Sequence, residues 1–166
     1  PETLPVGTSV QVTANDNFKN RAEILKVIYT GVLEFKTVPS ELAFKSAVVP
    51  ALKTIIERQD ADWSIIISDS RIQSSDWSLY ASAKSPLTST GNHVLKDALV
   101  FIDEKDISFI INNEPTKIYS GSAVSLPTDI TIKWPENQGM LLVVNPQDVF
   151  AESYSTSVTW TLIDAP

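Results

Sequence analysis

Polar and apolar residues alternate with a period of two along most of this chain. Residues Ser9 to Thr13 read Ser-Val-Gln-Val-Thr, and Trp77 to Ser82 alternate in the same way. Successive side chains of a β-strand point to opposite faces, so this period predicts strands with one buried side and one solvent-facing side. We therefore expect an all-β fold.

Turn residues divide this pattern into about ten short strands. Trp63 to Ser68 is a nearly continuous apolar strand that ends at Asp69-Ser70, and Asp103 to Asp106 is typical of a hairpin turn. The other predicted strands are Val32 to Phe35, Lys53 to Arg58, Val94 to Ile102, Ile107 to Ile111, Lys117 to Leu126, Ile130 to Trp134, Met140 to Val144 and Thr156 to Ile163. Such a series predicts an antiparallel β-sandwich or a barrel-like domain.

Two stretches fit the strand pattern poorly. Asn20 to Tyr29 could form a turn or two of helix, and the apolar residues of Glu41 to Glu57 partly follow a helical spacing. Pro50 and several β-branched residues argue against a long helix in the second stretch. We expect little helix, and we predict a single domain over residues 1–166, because no linker or repeat interrupts the chain.

The charge balance limits the partners that the chain can bind. It has 13 basic and 20 acidic residues, for a formal net charge of −7, and no basic cluster. Nucleic-acid binding depends on clustered Lys and Arg, so we expect no nucleic-acid partner. The same reasoning weakens attraction to anionic wall polymers and leaves a neutral glycan or a protein surface. The longest apolar runs are too short for a membrane span, so we expect no membrane insertion.

The residues that usually carry chemistry are sparse. There is no cysteine, and the single histidine, His93, follows Gly91-Asn92 in a predicted turn. No nucleophile, zinc-protease or phosphate-loop motif occurs. Three acidic pairs lie beside serines or at strand ends, where such residues ordinarily make turns: Asp60 with Asp62, Asp69 with Asp76, and Glu104 with Asp106. We expect a protein that is not an enzyme, with no catalytic residues, cofactor or metal site.

Four tryptophans, Trp63, Trp77, Trp134 and Trp160, are the most informative aromatic residues. Three of them begin triplets of tryptophan, a small hydroxylated residue and an aliphatic residue: Trp63-Ser64-Ile65, Trp77-Ser78-Leu79 and Trp160-Thr161-Leu162. In a strand, the ring and the aliphatic side chain share one face, which favours a core position. Trp134 precedes Pro135 in a predicted loop, and we expect its ring to be exposed. Trp134, Tyr80 and Tyr154 are the candidate ligand contacts.

These motifs resemble those of WxL-domain surface proteins of Gram-positive bacteria. Residues Ser157 to Pro166, which contain Trp160-Thr161-Leu162, resemble the distal motif of that family, and Tyr154 matches the aromatic residue that precedes it. Asp69-Ser70-Arg71 followed by Trp77-Ser78-Leu79 resembles the proximal motif. The resemblance is clearest over residues 33–166. Because each tryptophan shares a strand face with its leucine, we expect the motif residues to be structural: Asp69, Arg71, Trp77, Leu79, Tyr154, Trp160 and Leu162.

The resemblance implies a secreted, extracellular protein that attaches non-covalently to the peptidoglycan of the cell wall. It also implies a WxL-interacting surface protein as a partner and, through the complex, adhesion to host extracellular matrix proteins. Two hypotheses follow. The domain itself binds the wall, or it is an assembly module that pairs with the partner, for example by adding a strand at a sheet edge. The sequence does not separate the two.

Overall fold

The computed structural model of the chain describes residues 9–12, 25–28, 31–71 and 75–164, and every regular element in these ranges is a β-strand. The all-β prediction is confirmed. The described strands number fifteen, more than the ten or so expected. They are β1 (Ser9–Val12), β2 (Leu25–Ile28), β3 (Leu33–Thr37), β4 (Thr54–Ile56), β5 (Ile65–Asp69), β6 (Trp77–Ala83), β7 (Leu87–Ser89), β8 (Val94–Leu95), β9 (Leu99–Ile102), β10 (Ser108–Ile110), β11 (Thr116–Gly121), β12 (Thr128–Ile132), β13 (Gly139–Val144), β14 (Tyr154–Ser155) and β15 (Val158–Asp164).

The strands pair antiparallel throughout the described residues, as in a β-sandwich-like domain. β10-β9-β13-β4 form a four-stranded sheet, and β11-β6-β15, β12-β5-β3 and β14-β7-β8 form three-stranded sheets. β1 and β2 pair with each other. Asp103 to Asp106 connect β9 to β10 as a tight turn, which confirms the predicted hairpin.

The period of two corresponds to burial in the central strands. In β5 and β6 every second side chain is buried, among them Ile65, Ile67, Trp77 and Leu79. Removing a large apolar side chain from water stabilises a fold by about 1.5–3 kcal/mol. These strands therefore form the main part of the core, together with Phe101 and other buried side chains from neighbouring sheets.

β9 and β13 are buried on both faces. Leu99, Val100 and Phe101 are consecutive and all buried, as are Met140 and Leu141. This explains why the sequence shows continuous apolar runs at these two strands.

Several predicted boundaries differ from the structure. Val94 to Ile102 is two strands, because the chain turns at Asp97, whose φ of 54° lies in the left-handed region. Lys117 to Leu126 ends as a strand at Gly121. β7 and β14 were not predicted, since strands of three and two residues are too short to show a period.

The helical interpretation is wrong where the structure describes it. Leu25–Ile28 is a strand paired with β1, while residues 20–24 and 29 lie outside the described residues, as does Thr13. In 41–57, Phe44 bridges to Arg58 and Thr54–Ile56 pairs with β13. Pro50 and the β-branched Ile55 and Ile56 account for the extended backbone. Within the described ranges no helix is long and apolar enough to cross a membrane.

Candidate functional site

An open groove of about 950 Å³ lies in the described part of the chain. Two segments that are mostly irregular, residues 39–50 and 149–157, line it, and the second contains the short strand β14. Buried or half-buried aliphatic side chains form its base: Leu87, Leu95, Leu99, Leu142 and Val144. Concave sites of this size are where ligands are usually bound, so we treat the groove as the candidate site.

Aromatic rings and hydroxyl groups share the lining. Phe44, Tyr154 and Trp160 are half-buried there, and Phe150 is 51% exposed. Serine and threonine hydroxyls accompany them along both segments: Ser40, Ser46, Ser153, Ser155, Thr156 and Ser157. Rings with adjacent hydroxyls can contact the apolar face of a ligand while bonding to its polar edge.

Tyr154 also fixes one wall of the groove. Its hydroxyl oxygen accepts a hydrogen bond from the backbone N–H of Phe150 at 3.0 Å. Two residues further along, Thr156 donates its hydroxyl to the carbonyl of Ser85 at 2.7 Å. The predicted ligand residue Tyr154 therefore lies in the groove and has a structural contact as well.

His93 and Glu152 form a polar corner at the end of this wall. His93 Nδ1 lies 3.0 Å from Glu152 Oε2, and the imidazole stacks on Phe150 with 3.9 Å between ring centroids. Hydrogen bonds from Ser89 and His93 hold the pKa of Glu152 below its usual value. The Ser89 hydroxyl oxygen accepts the backbone N–H of His93 at 3.0 Å. Among the described residues no hydrogen bond joins this hydroxyl to the imidazole, as activation of a serine nucleophile would require.

The charge left at the groove is negative. Lys45 lines it, but its ammonium already contacts Glu57 at 2.7 Å and Glu136 at 2.5 Å. These contacts, with Glu136 as the larger cause, raise the pKa of Lys45. Glu41 and Glu152 also line the groove. A polyanionic ligand would therefore meet unfavourable charge there.

The structure brings the two Trp-x-Leu motifs together. In the β15–β6 pair, Leu162 lies opposite Leu79, and Trp160 lies opposite Ala81. Trp77 and Leu79 are buried, whereas Trp160 is half-buried, with its ring 5.9 Å from that of Trp63. Each tryptophan therefore shares a face with its leucine, as the alternation predicted.

Asp69 and Arg71 connect the two motifs. Asp69 is completely buried and accepts two hydrogen bonds from the Arg71 side chain, from Nε at 2.9 Å and from Nη2 at 2.8 Å. Arg71 also donates to the carbonyl of Ser75 and to the carboxylate of Asp164 at the end of β15. Hydrogen bonds from Arg71 lower the pKa of Asp69, and those to Asp69 raise the pKa of Arg71.

Trp134 is less exposed than expected. Its ring is half-buried because it packs on Trp63 at 5.3 Å and meets Phe101 edge-on at 5.6 Å. The prediction of an exposed ring is corrected to a partly covered one. Tyr80 lies on the opposite face of β6 from Trp77 and Leu79, away from the groove-lining residues. The three candidate ligand contacts do not form one site.

Arg58 is an important residue that the sequence did not indicate. It is completely buried and donates to the backbone carbonyls of Trp134 at 3.1 Å, Pro135 at 2.8 Å, Gln138 and Met140. Its guanidinium also lies 5.6 Å from the Trp63 ring centroid. Burial lowers its pKa. Its acceptors are backbone carbonyls of residues 134–140, at least 76 positions away along the chain, so no local sequence pattern marks it.

The members of the acidic pairs accept hydrogen bonds or lie in turns. Asp60 accepts the backbone N–H of Asp62 at 2.9 Å, and Asp76 accepts that of Ala123 at 3.0 Å. Asp106 has a φ of 59° in the β9–β10 turn. Among the described residues, no group of three His, Asp or Glu side chains could hold a metal ion.

Comparison with models of known families, with curated proteins and with solved structures finds no match for this chain. The WxL resemblance therefore rests on the sequence motifs alone.

Proposed function

We propose that the protein is a secreted, non-catalytic cell-surface domain that attaches non-covalently to Gram-positive peptidoglycan through the groove. The observation that carries the proposal is that Tyr154 and Trp160, which match the distal WxL motif, both line the groove together with several hydroxyl groups. Their rings can lie against the apolar face of a sugar or of a stem peptide.

The charge of the groove supports a ligand without strong negative charge. Lys45 is already paired with two carboxylates, and Glu41 and Glu152 add negative charge. Attachment would then depend on ring contacts and hydrogen bonds, and it would change little with salt, unlike polyanion binding.

Co-sedimentation with purified sacculi tests wall attachment. Ala47 is exposed and lines the groove, so Ala47→Trp would place a large ring in it without removing a contact of the fold. Ala61→Trp makes the same change at an exposed turn away from the groove lining. We expect the unmodified protein and Ala61→Trp to sediment with the sacculi at low and high salt. For Ala47→Trp, we expect the amount of protein that sediments to fall at least about fivefold. Unmodified protein left in the supernatant, or equal behaviour of the two variants, contradicts the proposal.

A second candidate is an assembly module that binds a WxL-interacting surface protein, with adhesion to host matrix by the complex. The aliphatic base of the groove favours it, as does the exposure of Val48 (89%) and Leu52 (78%) on the segment that leads into β4. An apolar segment of a partner would cover such side chains. Size-exclusion chromatography of the mixed proteins tests this, and separate elution at micromolar concentration counts against it.

The absence of catalysis is part of the proposal. Asp60 and Asp76 accept backbone N–H groups, and among the described residues no hydrogen bond joins the His93 imidazole to the Ser89 hydroxyl. Prolonged incubation with peptidoglycan should release no reducing ends or muropeptides. If the protein releases either product, and Glu152→Gln abolishes the release, the protein is an enzyme and this part of the proposal is wrong.

A further inference from the structure

A second pocket, of about 270 Å³, lies where three connections of the chain meet. They are the β6–β7 connection (residues 84–86), the β8–β9 connection (96–98) and the start of the β10–β11 connection (111–113), and we call the space between them the loop pocket. It shares Leu87, Leu95 and Leu99 with the groove and none of its other lining residues. An apolar cavity of about 150 Å³ can hold a benzene molecule, so the loop pocket has room for a small organic ligand.

The base of the loop pocket is aliphatic. Leu87 and Leu95 lie opposite each other in the β7–β8 pair. Buried side chains from three sheets and their connections complete the base, which consists of Leu87, Leu95, Ala98, Leu99 and Ile111. Such a surface favours an aliphatic group, because that group leaves water without needing a hydrogen-bond partner.

Backbone hydrogen bonds fix the walls of the loop pocket. The N–H of Ala83 donates to the carbonyl of Asn112 at 2.6 Å, and the N–H of Ile111 donates to the carbonyl of Leu99 at 2.9 Å. The carbonyl of Ala98 accepts the N–H of Val143 at 2.7 Å, which joins the β8–β9 connection to β13. The pocket is therefore formed without a ligand, and binding does not have to order these connections.

Two charges of opposite sign stand at the rim of the loop pocket. Lys84 and Asp97 both line it and are both exposed. Among the described residues neither side chain has an ion pair or a hydrogen bond, whereas Lys45 in the groove has two carboxylate partners. A ligand with only a negative charge would be repelled by Asp97, and one with only a positive charge would be repelled by Lys84. The rim therefore favours a ligand that carries both charges.

We propose that the loop pocket binds a free α-amino acid with a branched aliphatic side chain. The side chain lies against the aliphatic base, the α-carboxylate pairs with Lys84, and the α-ammonium pairs with Asp97. A free amino acid carries both charges on one carbon atom, whereas a peptide carries them on different residues. This inference does not depend on what the groove binds.

Titration with L-leucine tests the proposal, with amide chemical shifts as the readout. We expect shifts in residues 84–87, 95–99 and 111–113, and none in residues 39–50 and 149–157, which line only the groove. Glycine has the same two charges and no side chain, so it should bind at least about tenfold more weakly. Leucinamide lacks the carboxylate and N-acetylleucine lacks the ammonium, and each should bind roughly two- to tenfold more weakly than leucine.

Two variants assign the charges to their partners. Lys84→Met should bind leucine and leucinamide equally, because the carboxylate then has no partner. Asp97→Asn should in the same way bind leucine and N-acetylleucine equally. Asparagine tolerates the left-handed backbone of position 97, where φ is 54°, so this change leaves the turn intact.

Lys96→Met and Asp148→Asn are the matched controls, because they make the same changes at exposed residues outside the lining of the loop pocket. Both should bind leucine as the unmodified protein does. Three results would overturn the proposal: no shifts around the loop pocket at millimolar leucine, glycine binding as tightly as leucine, or preferences among the leucine derivatives that Lys84→Met and Asp97→Asn leave unchanged. Thermal unfolding of each variant shows that the fold is kept.

Discussion

Leu162 lies directly opposite Leu79 in the antiparallel pair of β15 and β6. The two Trp-x-Leu segments are therefore adjacent in space, although they are far apart in sequence. Their tryptophans are at opposite ends of the pair, because Trp160 faces Ala81 and Trp77 faces Asp164. Four residues of strand separate them, roughly 13 Å. One motif thus reaches the groove while the other is enclosed in the core.

Trp77 and Trp160 should differ in how much each stabilises the fold and in how exposed each ring is. Trp77 is 1% exposed, so Trp77→Ala should lower the free energy of unfolding by about 3–5 kcal/mol. Trp160→Ala should cost less, because that ring is only half-buried. Urea denaturation measures both. Acrylamide should quench a variant that retains only Trp160 more strongly than one that retains only Trp77; equal quenching would contradict the difference in burial.

Gly121 is required by the position of Trp77. A Cβ at Gly121 would lie 1.9 Å from the indole ring, which is fully buried and has no room to move. We expect Gly121→Ala to cost about 1–3 kcal/mol or more through overpacking. Gly91→Ala is the control, since its Cβ would meet only the end of the flexible Glu152 side chain, at 3.0 Å. If thermal unfolding shows equal losses for the two variants, the close contact at Gly121 is not the cause.

The buried pair of Asp69 and Arg71 should be sensitive to removal of one partner. Arg71→Ala leaves a completely buried carboxylate without its two side-chain donors, at a cost of about 3–5 kcal/mol. Lys36→Ala removes an exposed ion pair with Asp129 and should change stability little. Chemical denaturation at pH 7 compares them. A loss for Arg71→Ala as small as that for Lys36→Ala would mean that the pair does not stabilise the fold.

The same pair predicts a pH dependence. The pKa of Asp69 in the folded protein is lowered, chiefly by hydrogen bonds from Arg71. The stabilisation is therefore complete above the unfolded-state pKa, near 4, and is lost as the pH falls through the folded pKa. Asp69→Asn should be much less stable than the unmodified protein at pH 7, and the difference should narrow towards pH 2. A difference that is constant across this range would exclude ionised Asp69 as its source.

The sequence predicted those parts of the fold that local patterns determine. Alternation identified β6 and the shared face of Trp77 and Leu79, since a strand imposes its period on neighbouring residues, and a nearly continuous apolar run identified β5. The groove was not predicted, because segments 39–50 and 149–157 are irregular apart from the bridge at Phe44 and the two-residue strand β14. Arg58 was missed because its acceptors lie at least 76 residues away. Trp134 was expected to be exposed, because the sequence does not reveal that its ring contacts Trp63 and Phe101, which are far away along the chain.

The buried Arg58 side chain can stabilise the fold in two ways, through its packing or through the hydrogen bonds of its guanidinium. Buried charges can often be replaced by apolar residues of similar size without loss. Here the partners are backbone carbonyls of residues 134–140, which no apolar side chain can satisfy. Arg58→Met should therefore lower the free energy of unfolding by about 1 kcal/mol for each hydrogen bond that is lost. It should also shift tryptophan emission, because the guanidinium no longer lies beside the Trp63 ring.

Lys133→Met is the matched control for Arg58→Met, because it makes the same kind of change at an exposed residue beside the same loop. It should leave stability and emission almost unchanged. Chemical denaturation followed by fluorescence gives both quantities in one experiment. If Arg58→Met were as stable as Lys133→Met, packing alone would hold residues 134–140. A large loss specific to Arg58→Met would show that the guanidinium holds this loop, and with it Trp134, against the core.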